Sequence, residues 1–179
     1  MRWDMSLLAV TVISRDRVAL IADVTGVLAD LGGNLEDSSM TLLHGHFAWT
    51  LLLRVDSTAG EVRARLAPVC PDGVAVSDVD DLAAGAAAAM DRLVVAVHGS
   101  DRVGIVAAVA RVIADFGGNI TELTTRLGSP RTGGSLYLAV AEVEFPIAAD
   151  LDGLRDALAA RCHELQLDVT VHRAEPDLM

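Results

Sequence analysis

The sequence predicts an α+β fold made of two copies of one small domain. Residues 16–34 and 101–119 both begin with Asp-Arg-Val and end with Gly-Gly-Asn, and they are identical at 11 of 19 positions. The offset of 85 residues is too long for a solenoid repeat and matches the size of a small domain. Apolar patterning within each copy predicts the order strand, helix, strand, strand, helix, strand.

The first copy shows this order most clearly around its first helix. Residues 7–14 form a short apolar run bounded by charge, which is typical of a buried strand. Helical spacing of apolar residues follows from Leu20 to Leu31, with Asp16 as the predicted N-cap and Gly32-Gly33 as the predicted stop. The later predicted elements are strands at 35–43 and 47–55 around a tight turn at 44–46, a helix at 58–69 and a strand at 74–79.

The second copy repeats the pattern with a longer hairpin turn. Its predicted elements are strands at 93–97, 120–127, 136–145 and 167–171, and helices at 103–116 and 151–165. Residues 128–134 are rich in glycine and contain a proline, which predicts a mobile loop. We therefore expect domains at 1–81 and 91–179, joined by a linker at 82–90 whose alanines are compatible with a short helix.

The order βαββαβ defines a ferredoxin-like architecture. Right-handed crossovers then place both helices on one face of an antiparallel four-stranded sheet. Apolar residues at 51–53 and 136–143 occupy both faces of the predicted central strands. We therefore expect the open face to be covered by the other copy or by another chain, or the sheet edges to pair. A homodimer is predicted, although the sequence leaves open whether copies pair within or between chains.

Composition excludes several classes of function. The formal net charge of −11 disfavours direct nucleic-acid binding, which needs clustered Lys and Arg, and it equally disfavours an anionic membrane surface. No apolar stretch reaches the roughly 20 residues that span a bilayer. The apolar run near the N-terminus lacks a basic leader and a cleavage site, so we expect a cytoplasmic protein with no membrane partner.

The cysteines and histidines give no sign of a metal or cofactor site. Cys70 and Cys162 fall at similar places in the two copies and are predicted to be small buried apolar residues at helix ends. No histidine pair has ligand spacing with supporting carboxylates, and no arrangement typical of nucleophilic catalysis stands out. We therefore predict no metal, no cofactor and no catalytic residue.

The repeated segments contain the candidate site. The turns at 16–19 and 101–104 precede helices, whose free N–H groups and partial positive charge suit a carboxylate. The glycine that ends the second turn lets a ligand approach the backbone closely, and Asp101 either caps the helix or meets an ammonium group. Asn34 and Asn119 follow the helices, and each offers a carbonyl and an amide. The alternative is that these residues only cap and end the helices.

The duplication suggests how such a site is completed. The turn and the asparagine of one copy lie near opposite ends of the same predicted helix, so one copy is not expected to bring them together. Two copies side by side would place the turn of one against the asparagine of the other. We therefore expect the site at an interface between like domains.

The two segments resemble the ACT domain, whose pattern is Asp-Arg-Pro-Gly, an amphipathic helix and Gly-x-Asn-Ile. The second copy, with Asp-Arg-Val-Gly and Gly-Gly-Asn-Ile, matches this pattern better than the first. The resemblance covers essentially the whole chain, in the two-domain layout of the glycine cleavage system transcriptional repressor family. It implies amino-acid binding between paired domains at Asp101, Arg102, Val103, Gly104 and Asn119, with Asp16, Arg17, Val18, Ala19 and Asn34 as the second copy.

Departures from the ACT pattern indicate which copy binds better. Both copies have Val where the family usually has Pro, and the first copy has Ala19 where Gly is usual. A methyl group at Ala19 crowds the backbone that a ligand would approach. We therefore expect the turn of the second copy to be the better binding site, with Asn34 contributing to it across an interface.

These observations predict a non-catalytic sensor of a free amino acid, with glycine and serine as candidates. Binding would shift the packing of the domains, and the resemblance implies that a transcription regulator of glycine cleavage genes reads the shift. A ligand-free dimerisation and docking module is the first alternative. An acylphosphatase-like enzyme, which would use Arg17 and Asn34, is disfavoured because the turn lacks a phosphate cradle and Asp16 would repel a phosphate.

Overall fold

The computed structural model describes residues 5–79, 90–128 and 136–174. The predicted linker at 82–89 and the predicted mobile loop at 129–134 lie outside the described residues. The chain divides into two compact units, Met1–Gly85 and Ala86–Met179, here called unit 1 and unit 2.

Each unit has the predicted βαββαβ order. Unit 1 contains β1 (Ser6–Arg15), α1 (Leu20–Asp30), β2 (Asn34–Leu43), β3 (His46–Val55), α2 (Ala59–Leu66) and β4 (Val74–Asp78). Unit 2 contains β5 (Met90–Ser100), α3 (Ile105–Asp115), β6 (Asn119–Gly128), β7 (Leu136–Pro146), α4 (Leu151–Glu164) and β8 (Leu167–Arg173). β5 begins three residues earlier than predicted, so Met90 is a strand residue and not a linker residue.

Both sheets are antiparallel and four-stranded, in the orders β2-β3-β1-β4 and β6-β7-β5-β8. These sheets confirm the predicted α+β, ferredoxin-like fold. The first and third strands of each unit are therefore central, and β2 and β6 lie at sheet edges. All ten residues of β2 are exposed, and so are nine of the ten residues of β6.

The core of unit 1 lies between the sheet and its two helices. Every second residue of β1 and β3 is buried, which gives the period-two pattern of a sheet with one covered face. Leu20, Val24 and Leu28 pack from α1, and Val62 and Leu66 pack from α2. Unit 2 builds its core in the same way from β5, β7, α3 and α4.

The prediction that Asp16 caps the first helix is wrong. The backbone N–H of Asp16 donates to the carbonyl of Gly45 at 2.9 Å, which holds Asp16 beside the hairpin turn, and the helix begins four residues later at Leu20. The N-cap is Ala19, with a left-handed φ of 68°, and the equivalent residue in unit 2 is Gly104, with φ 93°. Asp101 is likewise not a cap, since α3 begins after Gly104.

The Gly-Gly pair of each repeat ends its helix, as predicted, and the two glycines have different structural roles. Gly32 has φ 70° and donates to the carbonyl of Ala29, while Gly33 donates to the carbonyl of Leu28. These two bonds form a Schellman motif, which needs a left-handed residue at the first glycine. A Cβ at Gly33 would lie 2.7 Å from a methyl group of Leu53, so the second glycine allows close packing on β3.

The hairpin of unit 1 is tighter than predicted. Only His44 and Gly45 form the turn, with φ of 49° and 77°, and His46 is already the first residue of β3. Two successive residues with positive φ are typical of a type I′ turn, whose twist matches that of the flanking strands.

The two cysteines are buried, as predicted, and unpaired. Cys70 follows α2 with 2% of its surface exposed, and Cys162 lies in the last turns of α4 with none exposed. Burial is the main cause that raises the pKa of both thiols. Among the helices of the described residues, none is both long enough and apolar enough to cross a bilayer.

The left-handed N-cap gives a paired prediction for stability. Gly104→Ala is expected to lower the free energy of unfolding by about 1 kcal/mol, because the added methyl group meets open space and only the backbone is strained. Ala19→Gly is expected to raise it by up to about 1 kcal/mol for the same reason. Urea unfolding measures both changes.

Gly26→Ala is the matched control for this pair. Gly26 lies within α1, and a Cβ there also meets nothing within 4 Å. In a helix interior this substitution is expected to raise stability by about 0.5–1 kcal/mol. Equal effects of Gly104→Ala and Gly26→Ala would contradict the assigned N-cap conformation.

The buried thiols give a second prediction. Both are expected to resist a thiol reagent at pH 8 in the native protein and to react fully in denaturant. Because the unfolded chain loses these thiol protons at a lower pH than the folded chain, stability should also fall as the pH rises past about 8.5. Rapid native labelling of either cysteine would contradict its burial.

Candidate ligand-binding site

The turn of unit 1 projects from the surface but is tied back through its arginine. Nη1 of Arg17 donates to the carboxylate of Asp23 at 2.5 Å, and Nη2 donates to the carbonyl of Val69 at 3.4 Å. The neighbouring Val18 is 94% exposed. The guanidinium of Arg17 is thus held over its own unit, and the valine forms the tip of the turn.

The turn of unit 2 has the same design with a different partner. A guanidinium nitrogen of Arg102 donates to Oε1 of Gln166, and Val103 is fully exposed. Sequence reasoning found both arginines but missed Asp23 and Gln166. Asp23 carries a sequence signal as an acidic residue in the first turn of a helix. Gln166 lies 64 residues away from Arg102, and no local pattern connects the two.

The two turn aspartates are the free charges of the site. Asp16 and Asp101 are both exposed. Within the described part of the chain, neither carboxylate has a hydrogen-bond or salt-bridge partner. Each aspartate comes four residues before the first residue of a helix, so each turn combines an unpaired negative charge with a helix N-terminus, where backbone N–H groups lack helical partners. This combination suits a ligand that carries both an ammonium group and a carboxylate.

A groove adjoins the turn of unit 1. It has a volume of about 470 Å³ and lies between the N-terminal part of α1 and the edge strand β2. Asp16, Arg17 and Ala19 line one side, and Met40 and Leu42 line the other. Val18 is not among its lining residues. The groove therefore has a polar end at the turn and an apolar wall along the sheet edge.

The asparagines lie far from the turns of their own units. Asn34 pairs with Arg54 near one end of β3, whereas Arg15, just before the turn, pairs with His46 at the other end. Eight residues of strand separate these positions, which corresponds to roughly 27 Å. Asn119 stands in the same place in unit 2, opposite Glu144. Neither unit brings its own turn and asparagine together.

A β-bulge next to each asparagine fixes its surroundings. The pairing of β2 with β3 shifts between Leu35 and Asp37, and the bulged Glu36 accepts a hydrogen bond from Arg54 at 2.6 Å. In unit 2 the shift falls at Thr121, whose hydroxyl donates to the carbonyl of Glu142. Bulges of this kind bend an edge strand and redirect its side chains.

The geometry does not support acylphosphatase chemistry. Such a reaction needs an arginine and an asparagine on the same phosphate, and Arg17 and Asn34 lie at opposite ends of unit 1. The guanidinium of Arg17 is also occupied by Asp23. Across the described residues, no group of three or more potential metal ligands is found.

The exposed valines give a prediction about the role of the turns. Val18→Ser and Val103→Ser are expected to change the free energy of unfolding by less than about 0.5 kcal/mol, because neither side chain packs within its unit. Val97→Ala, which truncates a buried valine of β5, should cost about 2 kcal/mol. Urea unfolding tests all three, and a large loss at Val18 or Val103 would show that these residues support the fold.

The ACT domain family model matches this chain twice, at residues 6–69 and 91–172. The UPF0237 protein of Methanopyrus kandleri is 37% identical over 65 residues, which is 35% of this chain and 72% of that protein. Each unit of the structure contains one of the two matched segments.

Two solved structures share the fold over nearly the whole chain. A protein of unknown role from Galdieria sulphuraria has a TM-score of 0.82 and 26% identity, covering 96% of this chain and 100% of that chain. A protein provisionally named as a glycine cleavage system transcriptional repressor has a TM-score of 0.67 and 14% identity, covering 97% and 99%. The chain thus belongs to the ACT domain family, whose members are regulatory amino-acid-binding domains, and it carries two such domains in tandem.

Proposed function

We propose that this chain is a non-catalytic regulatory protein that senses a free amino acid. The observation that carries the proposal is the repeated turn, in which an unpaired carboxylate stands beside the N-terminus of a helix in an ACT domain. An amino acid has the complementary charges, a carboxylate for the N–H groups and an ammonium group for the aspartate.

The proposed contacts follow from the chemistry of the turn in unit 2. The ligand carboxylate meets backbone N–H groups between Arg102 and Gly104 and at the start of α3. The ammonium group meets the carbonyl of Asn119 or Asn34, or the carboxylate of Asp101. Because turn and asparagine are roughly 27 Å apart within a unit, the turn of one ACT unit needs the asparagine of another to complete this site.

We favour the turn of unit 2 over that of unit 1, as the sequence predicts. The space above Gly104 is open, so a ligand can approach the backbone there. Ala19 places a methyl group at the equivalent position of unit 1. The groove beside Asp16 and Arg17 makes unit 1 a second site of the same kind. We expect it to bind the ligand more weakly, because the methyl group of Ala19 hinders the approach of a ligand to the backbone.

The proposed readout is a change in domain packing that a partner protein detects. A ligand shifts such an equilibrium only by the difference in its affinity for the two states, so the site must differ between them. The family resemblance suggests a transcription regulator as the partner and glycine or serine as the ligand. The proposed setting is a cytoplasmic homodimer, and the net charge of −11 suits a protein partner better than DNA.

A ligand-free docking module is the second candidate, and one observation favours it. The edge strand β2 exposes Met40, Leu42 and Leu43, and the tip of each turn exposes a valine. Exposed apolar residues along an unpaired strand edge are typical of a surface that binds another chain. In this case the turns would serve only to dock the partner.

Thermal unfolding against the twenty amino acids separates the two functions. A ligand present at a hundredfold excess over its dissociation constant stabilises the folded state by about 2.7 kcal/mol. For a chain of this size the melting temperature should rise by roughly 5–10 °C. One or two amino acids are expected to have this effect on the wild type and to lose it in Asn119→Ala.

Thr124→Ala is the matched control, because Thr124 lies on the same exposed strand and faces the same side of the sheet as Asn119. It should keep the full response to the ligand. An unchanged melting temperature with all twenty amino acids would reject the sensor and leave the docking module.

A further inference from the structure

The two units fill the space beneath their first helix differently. In unit 1, Trp49 of β3 is 5% exposed and packs edge-on against Phe47, with ring centroids 6.3 Å apart. Trp49 pairs with Val12 in the sheet, and the equivalent pair in unit 2 is Ala139 with Val97. Unit 2 therefore has a methyl group where unit 1 has an indole ring.

At the next inward-facing position of the same strand, the side chain of unit 2 is again smaller than that of unit 1. Leu51 pairs with Val10 in unit 1, and Ala141 pairs with Val95 in unit 2. Two large side chains of unit 1 are thus replaced by two alanines on the same strand. The helix above does not make up this volume, since the residues that α3 buries at its start, Ile105 and Val109, are no larger than their counterparts in α1, Leu20 and Val24.

An apolar cavity of about 20 Å³ lies at this place in unit 2. Ala139 and Ala141 line it from β7, Val106 and Val109 line it from α3, and Leu123 lines it from the edge strand β6. Every side chain that lines the cavity is aliphatic. A cavity with apolar walls stays dry, so its preferred occupant is an apolar group rather than a water molecule.

The cavity lies beside the proposed binding turn. Ile105 and Val106, which line it, directly follow Gly104 in the first turn of α3. Leu123 at its edge is 45% exposed, whereas Val109 and Ala139 are buried. A group that binds at the start of α3 can therefore reach the cavity from the side of β6.

We propose that this cavity receives the side chain of the amino-acid ligand and selects a small aliphatic one, alanine or valine, in place of glycine or serine. This inference rests on the proposed function. The volume corresponds to one or two water-sized probes, which suits a methyl or isopropyl group and excludes an aromatic ring. A serine hydroxyl would lose its hydrogen bonds to water without gaining a partner on the aliphatic walls. In unit 1 the indole of Trp49 already occupies the equivalent space.

Titration calorimetry with valine, alanine, glycine and serine tests the selection on the wild-type chain. Valine is expected to bind at least about 10-fold more tightly than glycine, because even one methylene group in an apolar pocket changes affinity by this factor or more. Equal or tighter binding of glycine or serine would overturn the inference and leave the proposed function intact. No binding of any amino acid would overturn both.

Filling the cavity is the second test. Ala139→Val places methyl groups in the empty space, so its melting temperature should be equal to or above that of the wild type, and its affinity for valine should fall about 10-fold. Ala141→Val is an independent variant of the same design. Ala96→Val is the matched control, because Ala96 lies on β5 and faces the open side of the sheet, and it should bind valine as the wild type does. Undiminished binding of valine by a folded Ala139→Val or Ala141→Val protein would overturn the inference.

Discussion

The architecture of each unit depends on how the chain turns at the two ends of its first helix. At the start the chain must leave the end of a central strand and cross back over the sheet, and it does so through one residue with positive φ, Ala19 or Gly104. At the end it must reverse again into an edge strand, and a second left-handed residue, Gly32 or Gly117, permits this. The repeated segments of the sequence contain the residues that make these two turns.

The turn at the start of the helix contains both residues that the fold requires and residues of the proposed binding site. The left-handed N-cap begins the helix, and the turn before it carries an exposed aspartate and an exposed valine. A residue that serves the fold thereby creates a polar surface next to an apolar one. The asparagine, by contrast, begins the edge strand, and the contacts of the described residues show no further structural role for its side chain.

Much of the fold was predictable from the sequence because the central strands have a period-two pattern and the first helices have a helical one. The repeat identified both units, and the glycine pair located the end of each first helix. The prediction of Asp16 as a cap is wrong because the side chain suits that role, whereas the backbone bond that holds Asp16 to Gly45 depends on a hairpin almost thirty residues away. The partner of Arg102, Gln166, was out of reach for the same reason, because only the folded unit brings the start of α3 beside the loop before β8.

The cavity in unit 2 shows a different limit of sequence reasoning. The repeat has an offset of 85 residues through its first three elements, which would align Trp49 with a residue before β7 begins. The longer hairpin of unit 2 moves the offset to 90, so that Trp49 corresponds to Ala139. Only the strand register reveals that an indole has been exchanged for a methyl group. The two ACT domains are therefore alike in fold and unlike in the space they leave for a side chain.

The most direct measurement is the mapping of amide chemical shifts by NMR during titration of the 18.8 kDa chain with the amino acid that stabilises it most. We expect shifts that concentrate on the backbone amides from Arg102 to Val106 and on the side-chain amide of Asn119 or Asn34. Shifts confined to other surfaces, or none at a saturating concentration, would contradict the assignment of the turn as the site where an amino acid binds.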